Sequence, residues 1–84
     1  MGNKRCERLA ELQQLLAISP GDVRARCDLA GLLEELGLVD EALSNWRAVL
    51  DFDPNNLVAR EGVNRCRTEQ DHRVNSRRGP GSPP

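Results

Sequence analysis

Leu29-Ala30-Gly31-Leu32-Leu33-Glu34-Glu35-Leu36-Gly37-Leu38-Val39-Asp40-Glu41-Ala42-Leu43-Ser44-Asn45-Trp46 is the stretch that decides the fold. Apolar residues recur at intervals of three and four on both sides of Gly37, the pattern of two amphipathic helices broken by one glycine-centred turn. Outward from this run, two similar phrases bracket it: Ala17-Ile18-Ser19-Pro20-Gly21-Asp22 before and Asp51-Phe52-Asp53-Pro54-Asn55-Asn56 after. Their prolines, Pro20 and Pro54, stand 34 residues apart, which is the period of a helix–turn–helix repeat.

The same spacing rule extends the pattern to both sides. A first helix is expected from Asn3 or Lys4 to about Ala17, with Leu9, Leu12, Leu15, Leu16 and Ile18 as its apolar residues. Ser19-Pro20-Gly21 ends it, because proline cannot continue a helix and the glycine relieves the turn. Asp22 then stands at an N-cap, and a second helix follows through Val23, Ala25, Leu29, Ala30, Leu32, Leu33 and Leu36. Gly37 is placed for the left-handed conformation, Asp40 is expected to cap the third helix, and Ala42, Leu43, Trp46, Val49, Leu50 and Phe52 mark its apolar side. A fourth helix begins near Asn56, carries Leu57, Val58, Ala59, Val63 and Cys66, and loses its pattern by about Glu69. Connections of three to five residues make neighbouring helices antiparallel. The expected organisation is a helical domain over residues 1–70 and a disordered Arg/Gly/Pro/Ser-rich tail over 71–84, where Val74 is the one aliphatic residue.

Composition narrows the function classes. With 84 residues there is room for one small all-α domain. Apolar runs of four or five residues fall far below the roughly 20 needed to span a bilayer, and no apolar stretch follows the basic start to make a secretory signal. Three cysteines, Cys6, Cys27 and Cys66, form an odd set without a close pair, which favours a reducing compartment, the cytoplasm, over a disulfide framework. No metal site is expected, since Cys66 and His72 are the nearest pair and further ligands are missing. The net charge of -1 hides a division: residues 1–8 and 67–84 are each basic by two charges, and residues 9–66 are acidic by five. With two aromatic residues in all, the basic ends lack the stacking groups that single-stranded nucleic acid requires. There is no Ser/His/Asp or Cys/His set on the expected helices and no glycine-rich phosphate loop, so neither catalysis nor a cofactor is expected.

Residues 23–56 resemble one complete unit of the tetratricopeptide repeat family. Leu29-Ala30, Leu33, Gly37, Ala42, Trp46 and Pro54 occupy the positions of its pattern. Arg26 stands where the family often has an aromatic residue, and Val49 where it usually has alanine. Leu9, Leu12 and Leu15 look like the second helix of a preceding unit, and residues 57–67 like the first helix of a following one. The resemblance implies an all-α fragment of a right-handed α-solenoid, about four helices in antiparallel hairpins. Each unit's first helix would line a concave groove that holds a peptide. On this sequence the groove is Arg24, Cys27, Asp28, Gly31 and Glu34 on the second helix with Glu61 and Arg65 on the fourth. These seven also fit the solvated side of two amphipathic helices. Gly31 is the informative member, because glycine inside a helix costs about 1 kcal/mol relative to alanine. Close packing or ligand approach would explain that cost.

Some relatives clamp a chaperone's C-terminal carboxylate with lysines and asparagines in this groove. The matching positions here hold Arg24, Cys27, Asp28 and Gly31, so that activity is not implied. What is implied is a small non-enzymatic adaptor binding a protein or peptide partner, with no nucleic acid or membrane involved. The alternative is a self-associating structural module that stacks its helical faces into a homo-oligomer. Two short patterns stand apart from the helices. Met1-Gly2-Asn3-Lys4-Arg5-Cys6 approaches an N-terminal acylation signal with Cys6 in place of Ser or Thr, and Arg77, Pro80 and Pro83 fit a proline-binding-domain ligand.

Overall fold

The computed structural model describes residues 4–78, with side chains as far as His72. It contains four helices in chain order: α1 Lys4–Ile18, α2 Val23–Glu35, α3 Val39–Phe52 and α4 Leu57–Arg78. Their local causes are legible at the ends. Asp22 caps α2 by accepting a hydrogen bond from the Ala25 amide at 3.0 Å, and Asn56 caps α4 by accepting from Ala59 at 2.9 Å. Gly37 takes φ +80, and the Leu38 amide donates back to the Leu33 carbonyl, which closes the α2 C-terminus.

Two boundaries differ from the sequence expectation. Asp40 does not cap α3, because that helix starts at Val39 with Leu38 at the cap and no side-chain capping bond. The Asp40 carboxylate lies in the first turn, where the helix dipole favours it, and accepts from Gln70 Nε2 at 2.7 Å. Further on, α4 continues through residues 71–78, the part of the expected disordered tail that the structure describes. Extending a nucleated helix fixes one residue per hydrogen bond, and no glycine or proline stands between Gly62 and Gly79. The apolar pattern fades where neighbours end, and the helix does not end with it. Residues 1–3 and 79–84 lie outside the described residues, and with them Gly2 of the acylation-like pattern and Pro80 and Pro83 of the proline pattern.

The α2–α3 hairpin is the centre of the molecule. Leu29, Ala30, Leu32 and Leu33 from α2 and Ala42, Leu43, Trp46 and Val49 from α3 are all buried. Alanine at 30 and 42, both fully buried, keeps the seam narrow. Helix α1 packs on α2, α4 packs on α3, and α4 touches α2 more lightly. Among the described residues, α1 makes no close approach to α3 or α4. The result is a slab with principal extents of 49 × 39 × 16 Å.

Several residues expected on apolar faces are in solvent. Ile18 is 81% exposed, Leu57 70%, Phe52 59% and Val58 56%. Each sits at a helix end beside the α1–α2 or α3–α4 turn, beyond the last neighbour able to cover it.

Candidate functional site

Helix α2 has a helix on each flank and α3 behind it, so its remaining face is open. That face is where the sequence places five of the seven expected site residues. Two clefts border it. One, of about 310 Å³, lies on the α1 side and is lined by Arg8, Leu12, Cys27, Asp28, Gly31, Leu32 and Glu35. The other, of about 700 Å³, lies on the α4 side and is lined by Glu34, Gly37, Val39, Asn64, Arg65, Cys66, Thr68 and Glu69. The structure therefore brings Cys27, Asp28 and Gly31 together in one cleft and Glu34 and Arg65 in the other. Arg24 and Glu61 are exposed and line neither.

The α4 cleft is built around one carboxylate. Trp46 of α3, only 2% exposed, donates its indole N–H to Glu34 Oε1 at 2.6 Å. Arg65 of α4 donates Nε to Glu34 Oε2 at 3.1 Å and Nη2 to Glu34 Oε1 at 3.0 Å, a bidentate grip. Three helices meet at this side chain. Partial burial works to raise the Glu34 pKa, but the hydrogen bonds from Arg65 and Trp46 and the Arg65 charge outweigh it, and the net effect is a lowering. Glu34 and Arg65 are thus engaged with each other across the α2–α4 seam.

Gly62 explains how α4 comes so near. A Cβ at this position would overlap the Trp46 indole, so the helix seats directly on the ring through its backbone. Sequence reading passed over Gly62, because a glycine adds nothing to an apolar pattern. Its interval from the buried Ala59 and Cys66 is three and four residues, and that spacing was the available signal. Gly31 behaves in the opposite way. Nothing lies within 4 Å of where its Cβ would be, so packing inside the chain does not require glycine there.

On the other flank α1 is held by leucines and exposed ion pairs. Leu12 and Leu16 are buried and Leu9 partly so. Arg8 Nη2 reaches Asp28 Oδ2 at 3.7 Å, and Arg5 Nε reaches Glu35 Oε2 at 3.5 Å. Burial raises the Cys27 thiol pKa, with the Asp28 and Asp53 carboxylates adding to it; burial raises Cys66 likewise, so neither is poised as a thiolate. Among the described residues no group of His, Cys, Asp and Glu is arranged to hold a metal ion, and no helix is long and apolar enough to cross a membrane.

No protein-family model matches the chain, and neither a curated protein nor a solved structure matches it significantly.

Proposed function

We propose that this chain is a non-enzymatic interaction module of tetratricopeptide-like design, an adaptor that holds a peptide or a segment of a partner protein against the open face of α2. The free space above Gly31 carries this reading. A glycine in mid-helix weakens α2 by about 1 kcal/mol, and close packing within the chain does not account for it. A ligand backbone passing over the helix would. Residues 23–56 support the family, and their helices form the hairpin that its pattern implies. Arg24, Cys27, Asp28 and Gly31 on α2 and Glu61 on α4 are the contact residues in this reading, while Glu34 and Arg65 shape the α4 wall. Cysteines that are all free suit the reducing cytoplasm.

The test compares affinity capture by the parent chain and by an Arg24→Glu, Gly31→Gln variant. Glutamine has room at 31, so far-ultraviolet circular dichroism should show unchanged helicity. Loss of one specific partner by the variant alone supports the groove; equal capture by both sinks it. A second reading, stacking of copies, is favoured by the exposed Ile18, Phe52, Leu57 and Val58 at one end of the slab. Light scattering across a range of concentrations separates the two, since a persistent monomer eliminates stacking.

A further inference from the structure

We infer that α1 is an exchangeable helix, and that the strip of α2 beneath it is a docking site for the α1 of a second copy of this chain. Three observations lead there. First, α1 packs on α2 and on no other helix among the described residues, so its release leaves the α2–α3–α4 packing untouched. Second, the contact is written in a code that any copy can read. Leucines at positions i, i+3 and i+7 of α1, namely Leu9, Leu12 and Leu16, face α2, and arginines at i−4 and i−1, Arg5 and Arg8, meet Glu35 and Asp28. As the α1 number rises the α2 number falls, so the ion pairs fix an antiparallel register. All four charged side chains are more than half exposed, within reach of an incoming helix. Third, the charge distribution favours exchange over simple stacking. Helix α1 is basic by one charge and residues 19–66 are acidic by four, so one copy's α1 is attracted to another copy's body while the two bodies repel.

The connection suits this behaviour. Pro20 prevents α1 and α2 from merging into one helix, and Ser19 to Asp22 form a short turn. Opening the turn breaks α1's contacts together with the turn's own hydrogen bonds, from the Asp22 amide to the Ser19 carbonyl and from Arg26 Nη2 to the Pro20 carbonyl, and seating on a second copy restores the α1 contacts, which is the energetic basis of element exchange. The occupant this strip selects is an amphipathic helix with that leucine spacing and those two basic positions.

A fluorescein-labelled peptide of residues 1–21, titrated into the full chain and followed by anisotropy, tests the exchange. The expected result is a saturable rise that unlabelled peptide competes away. The peptide with Leu12→Ala and Leu16→Ala should bind at least about tenfold more weakly, and the one with Arg5→Glu and Arg8→Glu several-fold more weakly. Pairing that charge-reversed peptide with a full chain carrying Asp28→Arg and Glu35→Arg should recover the parent affinity, with Trp46 emission confirming that this chain is folded. No saturable rise, or equal binding of the leucine-depleted peptide, overturns the docking site. Failure of the reversed charges to recover affinity overturns the register. The titration involves no Arg24 or Gly31 variant, so it can fail while the groove reading stands, and the reverse.

Discussion

Helices α1 and α4 both flank the central hairpin, yet they are attached in different ways. Helix α4 sits on a buried indole through a glycine and is gripped across the seam by a carboxylate that also serves that indole. Helix α1 rests on α2 through three leucines of its own, edged by ion pairs in solvent. In the first case burial and hydrogen bonding reinforce each other at one point, and removing any member leaves another unsatisfied. In the second the leucines and the ion pairs act separately, and the exposed ion pairs are weak. An attachment of the first kind fixes a helix in place, and one of the second kind lets it be replaced.

The comparison can be broken most severely at Trp46. Trp46→Ala removes the surface on which α4 seats and strands Glu34, and should cost about 3–5 kcal/mol in urea unfolding, enough to unfold so small a domain. A variant as stable as the parent would show that the junction is not where stability resides. Gly62→Ala is the sharper probe. Alanine is the better helix former by about 1 kcal/mol, but its methyl would collide with the indole, and a net destabilisation of about 1–3 kcal/mol is expected. Stabilisation by this substitution would mean that α4 stands further from Trp46 than described.

Acid titration reads the same junction more gently. Glu34 has a folded pKa below its ordinary value, so its contribution is fully present above the ordinary glutamate value and is lost as pH falls toward and through the lower folded value. Because Arg65 is more than half exposed, the contribution should be no more than about 1 kcal/mol. Urea midpoints of the parent and Glu34→Gln should differ at pH 6 and converge as the carboxylate protonates; a constant difference down to pH 3 would detach the effect from Glu34 ionisation. The smallest effect belongs to α1. Asp28→Ala should change stability by about 0.5 kcal/mol or less, and that change should vanish in 1 M salt. A large, salt-resistant loss would place α1 in the same class as α4.

What the sequence disclosed followed from how local each cause is. Gly37, Asp22 and Trp46 behave as read because a positive φ, a capping carboxylate and a large apolar side chain declare themselves within a turn or two of chain. Asp40 misled because two consecutive turns offer similar starts, and the Leu38 carbonyl, not the aspartate side chain, opens α3. Ile18, Phe52, Leu57 and Val58 misled for a different reason: periodicity says which side of a helix is apolar but not whether anything stands opposite. The pairing of Glu34 with Arg65 spans 31 positions and two helices, and residue spacing on either helix alone carries no trace of it. Gly62 left only its interval to Ala59 and Cys66 as a signal, since its role lies in atoms it does not have.

The thinness of the slab has a consequence of its own. At 16 Å it is about two helix layers deep, with α3 behind α2, and the radius of gyration is 15.0 Å against about 12 Å for a compact domain of this length. Every buried side chain therefore has solvent no more than one helix away on each broad face. A molecule pressing on the open side of α2 bears on a helix whose other side is packed on α3, so occupancy on one broad face is passed to the other through a single layer of buried side chains.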